Sequence, residues 1–253
     1  MRYLLFALAC RTLVACTAPP NDTGPSALTR NVDDSGQNRW LSFDGVNDYA
    51  TTATAEFPDG HAAQTISAWF KLDSIAGTQA LVTVRKDFDS GLELAVADGL
   101  LSAIRVYGTR TLAAATKPVS AGAWHFAAYT FDGASNQLYV DGARVASSAD
   151  LPDKRTPTSC WLGTLDGTRD LLHGSLDDVR VLELVRTPEE LMNEAADHFS
   201  SADPGLVLDL PFDESEGSTV YDRSSYANDG QLGDGVEERM PARVSASVEE
   251  PQH

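Results

Sequence analysis

The chain has 253 residues, with 19 Lys and Arg against 37 Asp and Glu, a formal net charge of −18. That balance excludes a basic grip on nucleic-acid phosphate and a basic patch for anionic lipid. Apolar residues make up 42 % and charged residues 22 %, which is the composition of a folded domain, and no apolar run reaches the roughly 18 residues of a spanning helix.

The chain opens MRYLLFALACRTLVAC. Arg2 followed by the apolar residues 3–9 is expected to be an export signal. Leu13-Val14-Ala15-Cys16 resembles a bacterial lipobox, and the resemblance implies a lipid on Cys16 and an anchor at the cell envelope. Thr17 stands where some inner-membrane lipoproteins carry aspartate, so the same resemblance implies the outer membrane. Arg11 interrupts the apolar stretch. The alternative is cleavage after Ala7-Leu8-Ala9, giving a secreted or periplasmic protein. Residues 17–38 hold three prolines and many small polar residues, the composition of a flexible tether. Cys10 and Cys16 belong to the signal. Cys160 is then the only thiol of the folded part, expected to be a small buried hydrophobe rather than half of a disulfide.

From Trp40 onward, short β-rich runs alternate with Gly, Asp and Asn turns. Gln64–Leu72 reads as a strand. Residues 91–96 and 100–107 read as a hairpin around Asp98-Gly99, because the primed turns of tight hairpins need positive φ. Residues 126–131, 138–140 and 143–146 follow as three strands separated by Asp132-Gly133 and Asp141-Gly142. Residues 161–163 and 176–184 are the last strands of this series. Thr187-Pro188-Glu189-Glu190 supplies an N-cap, a first-turn proline and an acidic third position, with Leu191, Ala195 and Phe199 at helical spacing beyond. About a dozen strands with one short C-terminal helix predict an all-β, two-sheet antiparallel sandwich. Trp69 and Trp124 are expected in its core, His125 on the side of its strand away from the core, and Arg180 on a salt-bridged or solvated face.

Four ordered motifs carry a family resemblance. They are Leu41-Ser42-Phe43-Asp44-Gly45-Val46-Asn47-Asp48-Tyr49; Thr65-Ile66-Ser67-Ala68-Trp69-Phe70; Trp124-His125-Phe126 through Asp132-Gly133 with Leu138-Tyr139-Val140-Asp141-Gly142; and Gly174-Ser175-Leu176-Asp177-Asp178-Val179. Together they resemble laminin G-like jelly-roll domains of the concanavalin A-like lectin/glucanase superfamily, over residues 39–200. The resemblance implies a jelly roll, and a structural calcium ion is common among such domains. Asp44, Asn47 and Asp48 in a Gly-containing turn and Asp177 and Asp178 on the closing strand are the oxygen ligands that would suit it. The same residues are also ordinary turn formers. Asp87-Phe88-Asp89-Ser90-Gly91 begins like an EF-hand loop but lacks its final glutamate and reads as a turn.

Residues 201–244 resemble the segment that normally precedes the opening motif, yet here they follow the domain. They are either the start of a lost second domain or a segment that folds back, with residues 206–212 adding a strand to the same sandwich. Their apolar content favours the second reading. Residues 245–253 read as a disordered tail.

Enzyme signatures are missing. There is no Gly-x-Ser-x-Gly elbow, phosphate-binding Gly-rich loop or His-Glu-x-x-His pair, and His61, His125, His173, His198 and His253 are scattered. Glucanases of the same fold carry closely spaced acids on one strand, whereas Glu93 stands alone. No catalytic residue is assigned. The expected function is a non-catalytic cell-envelope module that binds glycan or an envelope or extracellular protein, touching membrane only through the anchor. The alternatives are a structural or adhesion lipoprotein without a small ligand, and a divergent glycosidase using Glu93. Tyr107, Tyr139 and Trp161 are the aromatic candidates for stacking on sugar.

Overall fold

The computed structural model describes residues 37–106, 108–196 and 203–247. The export signal with Cys16, residues 17–36 of the tether, Tyr107, His198, Phe199 and residues 248–253 lie outside the described residues.

In chain order the strands are β1 (Gln37–Asp44), β2 (Ala50–Thr52), β3 (Gln64–Leu72), β4 (Thr78–Asp87), β5 (Ser90–Ala97), β6 (Leu100–Arg105), β7 (Arg110–Ala114), β8 (Trp124–Phe131), β9 (Asn136–Val140) and β10 (Ala143–Ser148). They continue with β11 (Ser159–Leu162) and β12 (His173–Leu182), then helix α1 (Pro188–Ala195), then β13 (Leu206–Leu210), β14 (Thr219–Val220), β15 (Gly230–Leu232) and β16 (Ala242–Ser247). Two eight-stranded antiparallel sheets result, the jelly-roll sandwich expected. Sheet A runs β10-β9-β8-β3-β12-β1-β16, with β13 also paired to β12, and sheet B runs β14-β15-β2-β11-β4-β5-β6-β7. The hairpins β5–β6 and β9–β10 close on Asp98-Gly99 and Asp141-Gly142. All four residues have positive φ, as a two-residue primed turn requires.

Strand alternation fills the space between the sheets. Ile66, Ala68, Phe70 and Leu72 of β3, and Ala127, Tyr129 and Phe131 of β8, meet Val82, Val84, Leu92, Leu94 and Val96 of sheet B. Several residues in the opposite phase are apolar too, Trp69 of β3 and Phe126 and Ala128 of β8, because α1 covers the outer face of sheet A there. Leu191 and Ala195 of the helix bury Trp69, Phe126, Ala128 and Tyr139 there. A sheet covered on both faces reads as a continuous apolar run, so alternation in the sequence does not give its phase. That corrects two expectations. Trp69 is buried, but under the helix rather than between the sheets. His125 lies on the core side of β8, its ring 5.7 Å from that of Phe70.

The helix starts as its sequence dictates. Thr187 accepts from the Glu190 amide while the Glu190 side chain accepts from the Thr187 amide, and Pro188 opens the first turn. This reciprocal capping box satisfies two donors that would otherwise lack partners.

Four strands, rather than one, come from the segment after α1. β13 pairs with the second half of β12, from Val179 opposite Leu210 to Leu182 opposite Leu206. β16 pairs with β1 along its whole length, and β15 pairs with β2. The last strand runs to Ser247 and the first begins at Gln37, so both reach past the boundaries drawn from composition. β12 thus has two successive neighbours on one side, β1 opposite residues 173–176 and β13 opposite residues 179–182. The change of partner falls on a bulge. The register against β3 shifts between Asp177 and Arg180, and Asp178 takes a φ of 48°.

Arg180, just past the bulge, is 3 % exposed. Its Nη2 lies 2.9 Å from Asp178 Oδ1 and its Nε 2.9 Å from Asp209 Oδ1 on β13, with Glu194 of α1 at 4.0 Å. Burial opposes the guanidinium charge, but the three carboxylates outweigh it and hold its pKa above the ordinary arginine value. Removing one partner of a buried ion pair leaves the other charge uncompensated. Arg180→Ala is therefore expected to destabilise the protein by about 3–5 kcal/mol, read from the urea midpoint. Ending the chain at residue 202 is expected to abolish cooperative unfolding, and a transition at the full-length midpoint would show that the four added strands contribute nothing.

Candidate binding face and its covering loop

The outer face of sheet B is the polar counterpart of the core. Cross-strand registers place Gln231, Thr51, Trp161, Thr83, Glu93 and Ile104 in one row across β15, β2, β11, β4, β5 and β6. Their strand neighbours Leu232, Leu162, Val82, Leu94 and Ala103 belong to the core, so period-two alternation turns this row outward.

Residues 163–172, between β11 and β12, fold over this row. The Thr83 hydroxyl donates to the Thr164 carbonyl at 3.1 Å, and Arg85 Nη1 donates to the Leu165 carbonyl at 2.8 Å. The Ala80 amide donates to the Asp170 carbonyl at 2.8 Å. Within the loop, Asp166 accepts from the Thr168 and Arg169 amides and pairs with the Arg169 side chain at 2.7 Å. The exposed ring of Phe88 lies 5.2 Å from the guanidinium carbon of Arg169 and 5.8 Å from that of Arg85. Gly163 is obligatory where the loop leaves β11. Its φ is 75°, and a Cβ there would stand 2.4 Å from the Phe43 ring.

Beside the loop, Trp161 is half-buried and its ring centroid lies 5.4 Å from that of Tyr49. The Tyr49 hydroxyl donates to Asp234 Oδ2 at 2.8 Å, so a residue of the C-terminal segment fixes this aromatic pair. Of the two aromatic candidates among the described residues, Trp161 is the one on the polar outer face of sheet B. Tyr139 is 4 % exposed beneath α1, and Tyr107 is outside the described residues.

Glu93 is 2 % exposed, and its Oε1 has no hydrogen-bond partner. Burial, then the neighbouring Asp170 carboxyl, push its pKa up to about 8. Asp170 is also raised, chiefly by burial, and the hydrogen bond from Glu93 works the other way. Burial and the neighbouring Asp170 carboxyl thus both favour the protonated form of Glu93. Glycosidases hold their two carboxyls about 5–9.5 Å apart across the scissile bond, whereas these two are in hydrogen-bond contact and Glu93 is closed off from solvent.

The two halves of the expected calcium set do not meet. β1 pairs with β12 so that Asp44 faces His173, which leaves Asp177 four residues farther along, about 13 Å of strand. Each half also satisfies itself. Asp44 Oδ1 accepts the Val46 and Asn47 amides at 2.7 and 3.3 Å, and Asp48 Oδ2 accepts the Asp44 amide at 2.9 Å. Asp177 accepts the Asp178 amide at 3.1 Å, and Asp178 is held by Arg180. Among the described residues, no group of three or more His, Cys, Asp or Glu side chains is placed to hold a metal ion. Cys160 is fully buried, and burial pushes its thiol up to about 12, which leaves it inert as a nucleophile.

A family model described as the concanavalin A-like lectin/glucanases superfamily matches residues 44–192. No curated protein matches the chain. Among solved structures, a candidate carbohydrate binding protein from Bacteroides ovatus is similar at 19 % identity and a TM-score of 0.62. The match covers 85 % of this chain and 61 % of that one, so the chain spans less than two thirds of that protein. The CBM40 module of the Ruminococcus gnavus IT-sialidase, bound to alpha2,3 sialyllactose, is similar at 17 % identity and a TM-score of 0.50 over 62 % of this chain and 96 % of that one. A heptameric SAP-like pentraxin from Limulus polyphemus is similar at 11 % identity and a TM-score of 0.51, covering 83 % and 93 %. At these identities the likeness is one of fold.

A carboxyl group whose folded pKa exceeds its unfolded value adds stability that is complete below the unfolded pKa and lost as pH rises through the folded one. For Glu93 the window runs from the ordinary 4.5 to about 8. Glu93→Gln is expected to flatten the fall in stability across that window. At pH 9 it should raise the melting temperature by on the order of 2–4 °C or more. An unchanged pH profile in calorimetry would mean that Glu93 is ionised in the folded protein.

Proposed function

The chain belongs to the concanavalin A-like lectin/glucanase superfamily, and from that premise we propose that it is a glycan-binding module that does not cleave glycosidic bonds. The observation that carries the reading is Trp161, half-buried on the outer face of sheet B and backed by Tyr49 at 5.4 Å. An indole held in place by a second ring offers an apolar face for a sugar at little cost in side-chain entropy. Thr51, Gln231 and Asp234 stand around it as hydrogen-bonding groups. The carbohydrate-binding descriptions of the Bacteroides and Ruminococcus proteins support the same reading. The contact between Glu93 and Asp170 supports binding without glycosidic cleavage, because it leaves no room between the carboxyls for the bond to be cut.

Attachment to the cell envelope through Cys16 is part of the proposal and is supported by Leu13-Val14-Ala15-Cys16 alone.

A glycan array probed with the protein, in calcium and in chelator, tests the reading. Binding is expected, and Trp161→Ala should weaken the best ligand about tenfold or more, equivalent to about 1.4 kcal/mol. Binding lost in chelator would assign calcium a role, and equal binding in both buffers would remove it. A Trp161→Ala protein that keeps full affinity would place the ligand elsewhere.

A further inference from the structure

At one rim of the sandwich, away from the Trp161 face, side chains from a connection, a strand and a turn converge. Ser120 lies in the connection between β7 and β8, His125 is the second residue of β8, and Asp141 occupies the tight turn between β9 and β10. Ser120 Oγ is 2.9 Å from His125 Nε2, and His125 Nδ1 is 2.8 Å from Asp141 Oδ2. The order nucleophile, base, carboxylate is that of a hydrolytic triad.

The tautomer follows from a contact that has only one sense. The Ser120 backbone amide donates to Nε2 at 3.3 Å, and an amide N–H cannot accept. Nε2 therefore carries the lone pair, and Nδ1 carries the proton it gives to Asp141. This is the tautomer a general base needs in order to take the proton of a serine hydroxyl. Asp141 is itself fixed. Its Oδ1 accepts the Phe126 amide at 2.8 Å, while its own amide donates to the Phe126 carbonyl at 2.9 Å. The imidazole side chain is 14 % exposed and lies against Phe70. Ser120 is exposed, and beside it Gly122 has nothing within 4 Å of where a Cβ would stand. The base is shielded, and the hydroxyl is open to a substrate.

We propose that Ser120, His125 and Asp141 form an acyl-transfer site that hydrolyses small, exposed carboxylic esters. Ser120 Oγ attacks the ester carbonyl carbon while its proton passes to His125 Nε2. The carbon–oxygen bond to the alcohol breaks, and the alcohol leaves with that proton. Water, deprotonated by the same nitrogen, then attacks the acyl-serine and releases the carboxylic acid, restoring the Ser120 hydroxyl. Ester and water become acid and alcohol, with no other reactant. Ser120 and His125 are the catalytic residues, and Asp141 is a positioning residue. The inference does not depend on glycan binding at Trp161.

The full chain is treated with a fluorophosphonate probe and assayed with p-nitrophenyl acetate. One phosphonyl adduct is expected by intact mass, mapped to Ser120 by peptide digestion and absent from Ser120→Ala. Ester hydrolysis should fall about 100-fold or more in Ser120→Ala and His125→Gln. Asp141→Asn, which keeps an oxygen for the Phe126 amide, should also slow the reaction and move the rising limb of the pH–rate profile. A folded wild-type protein that forms no adduct above the Ser120→Ala background would overturn the proposal, as would hydrolysis undiminished in that variant. Wild-type labelling needs no variant to fold, and neither readout responds to loss of sugar affinity.

Discussion

Arg180 is the charge around which sheet A is arranged. β12 lies inside the sheet, with β3 on one side and two successive strands on the other. A strand that changes partner midway must break its ladder at the change, and the bulge at Asp177 and Asp178 absorbs that break. The bulge brings Asp178 beside Arg180, and the guanidinium reaches across to Asp209 on β13. Glu194 approaches from α1 above, and also accepts from the Ser67 hydroxyl on β3. One buried cation thus ties the domain proper, the returning C-terminal segment and the helix to a single point. Such an ion pair adds little net stability over an apolar replacement, but it tolerates few alternative arrangements.

Much of this was legible in the sequence where local chemistry decides the outcome. Asp98-Gly99 and Asp141-Gly142 announce their hairpins through the φ values they permit. Thr187 and Glu190 announce the start of α1 through reciprocal capping. Long-range partnership was not legible in the same way. Nothing near Phe126 says that a helix will cover it, so the phase of β8 could not be read from its own alternation. The aspartates at 44 and 177 look like one cluster as long as the first and last strands are taken to be adjacent. They are adjacent, but the register slides the two pairs apart. Trp161 was one aromatic among three until the Tyr49 ring and the returning Asp234 marked its place. Ser120, His125 and Asp141 carry no motif at all, because what unites them is the closeness of one loop and one turn.

The two outer faces of the sandwich have been treated differently. Sheet A hides its outer aromatics under α1, and the cost is one more element to dock. Sheet B keeps a polar row and lays residues 163–172 across part of it, through backbone carbonyls accepting from Thr83 and Arg85. Beneath that loop burial and Asp170 both disfavour the charge of Glu93 and push its pKa up to about 8. A local conflict of this kind, within a chain whose other elements agree with their surroundings, is what a face shaped for more than stability shows.

The pairing of β1 with β16 sets Gln37 opposite Ser247. Sheet A therefore joins the first described residue to the last, and sheet B waits on β15 for the neighbour of β2. During synthesis sheet B cannot finish until residue 232 has left the ribosome, nor sheet A until residue 247 has. Until their partners β16, β15 and β13 emerge, β1, β2 and the distal half of β12 present unpaired edges, which attract other strands. Closure of so long a loop makes the final step slow. The nascent chain thus remains a substrate for chaperones, or for any machine that handles extended polypeptide, until its last strand arrives.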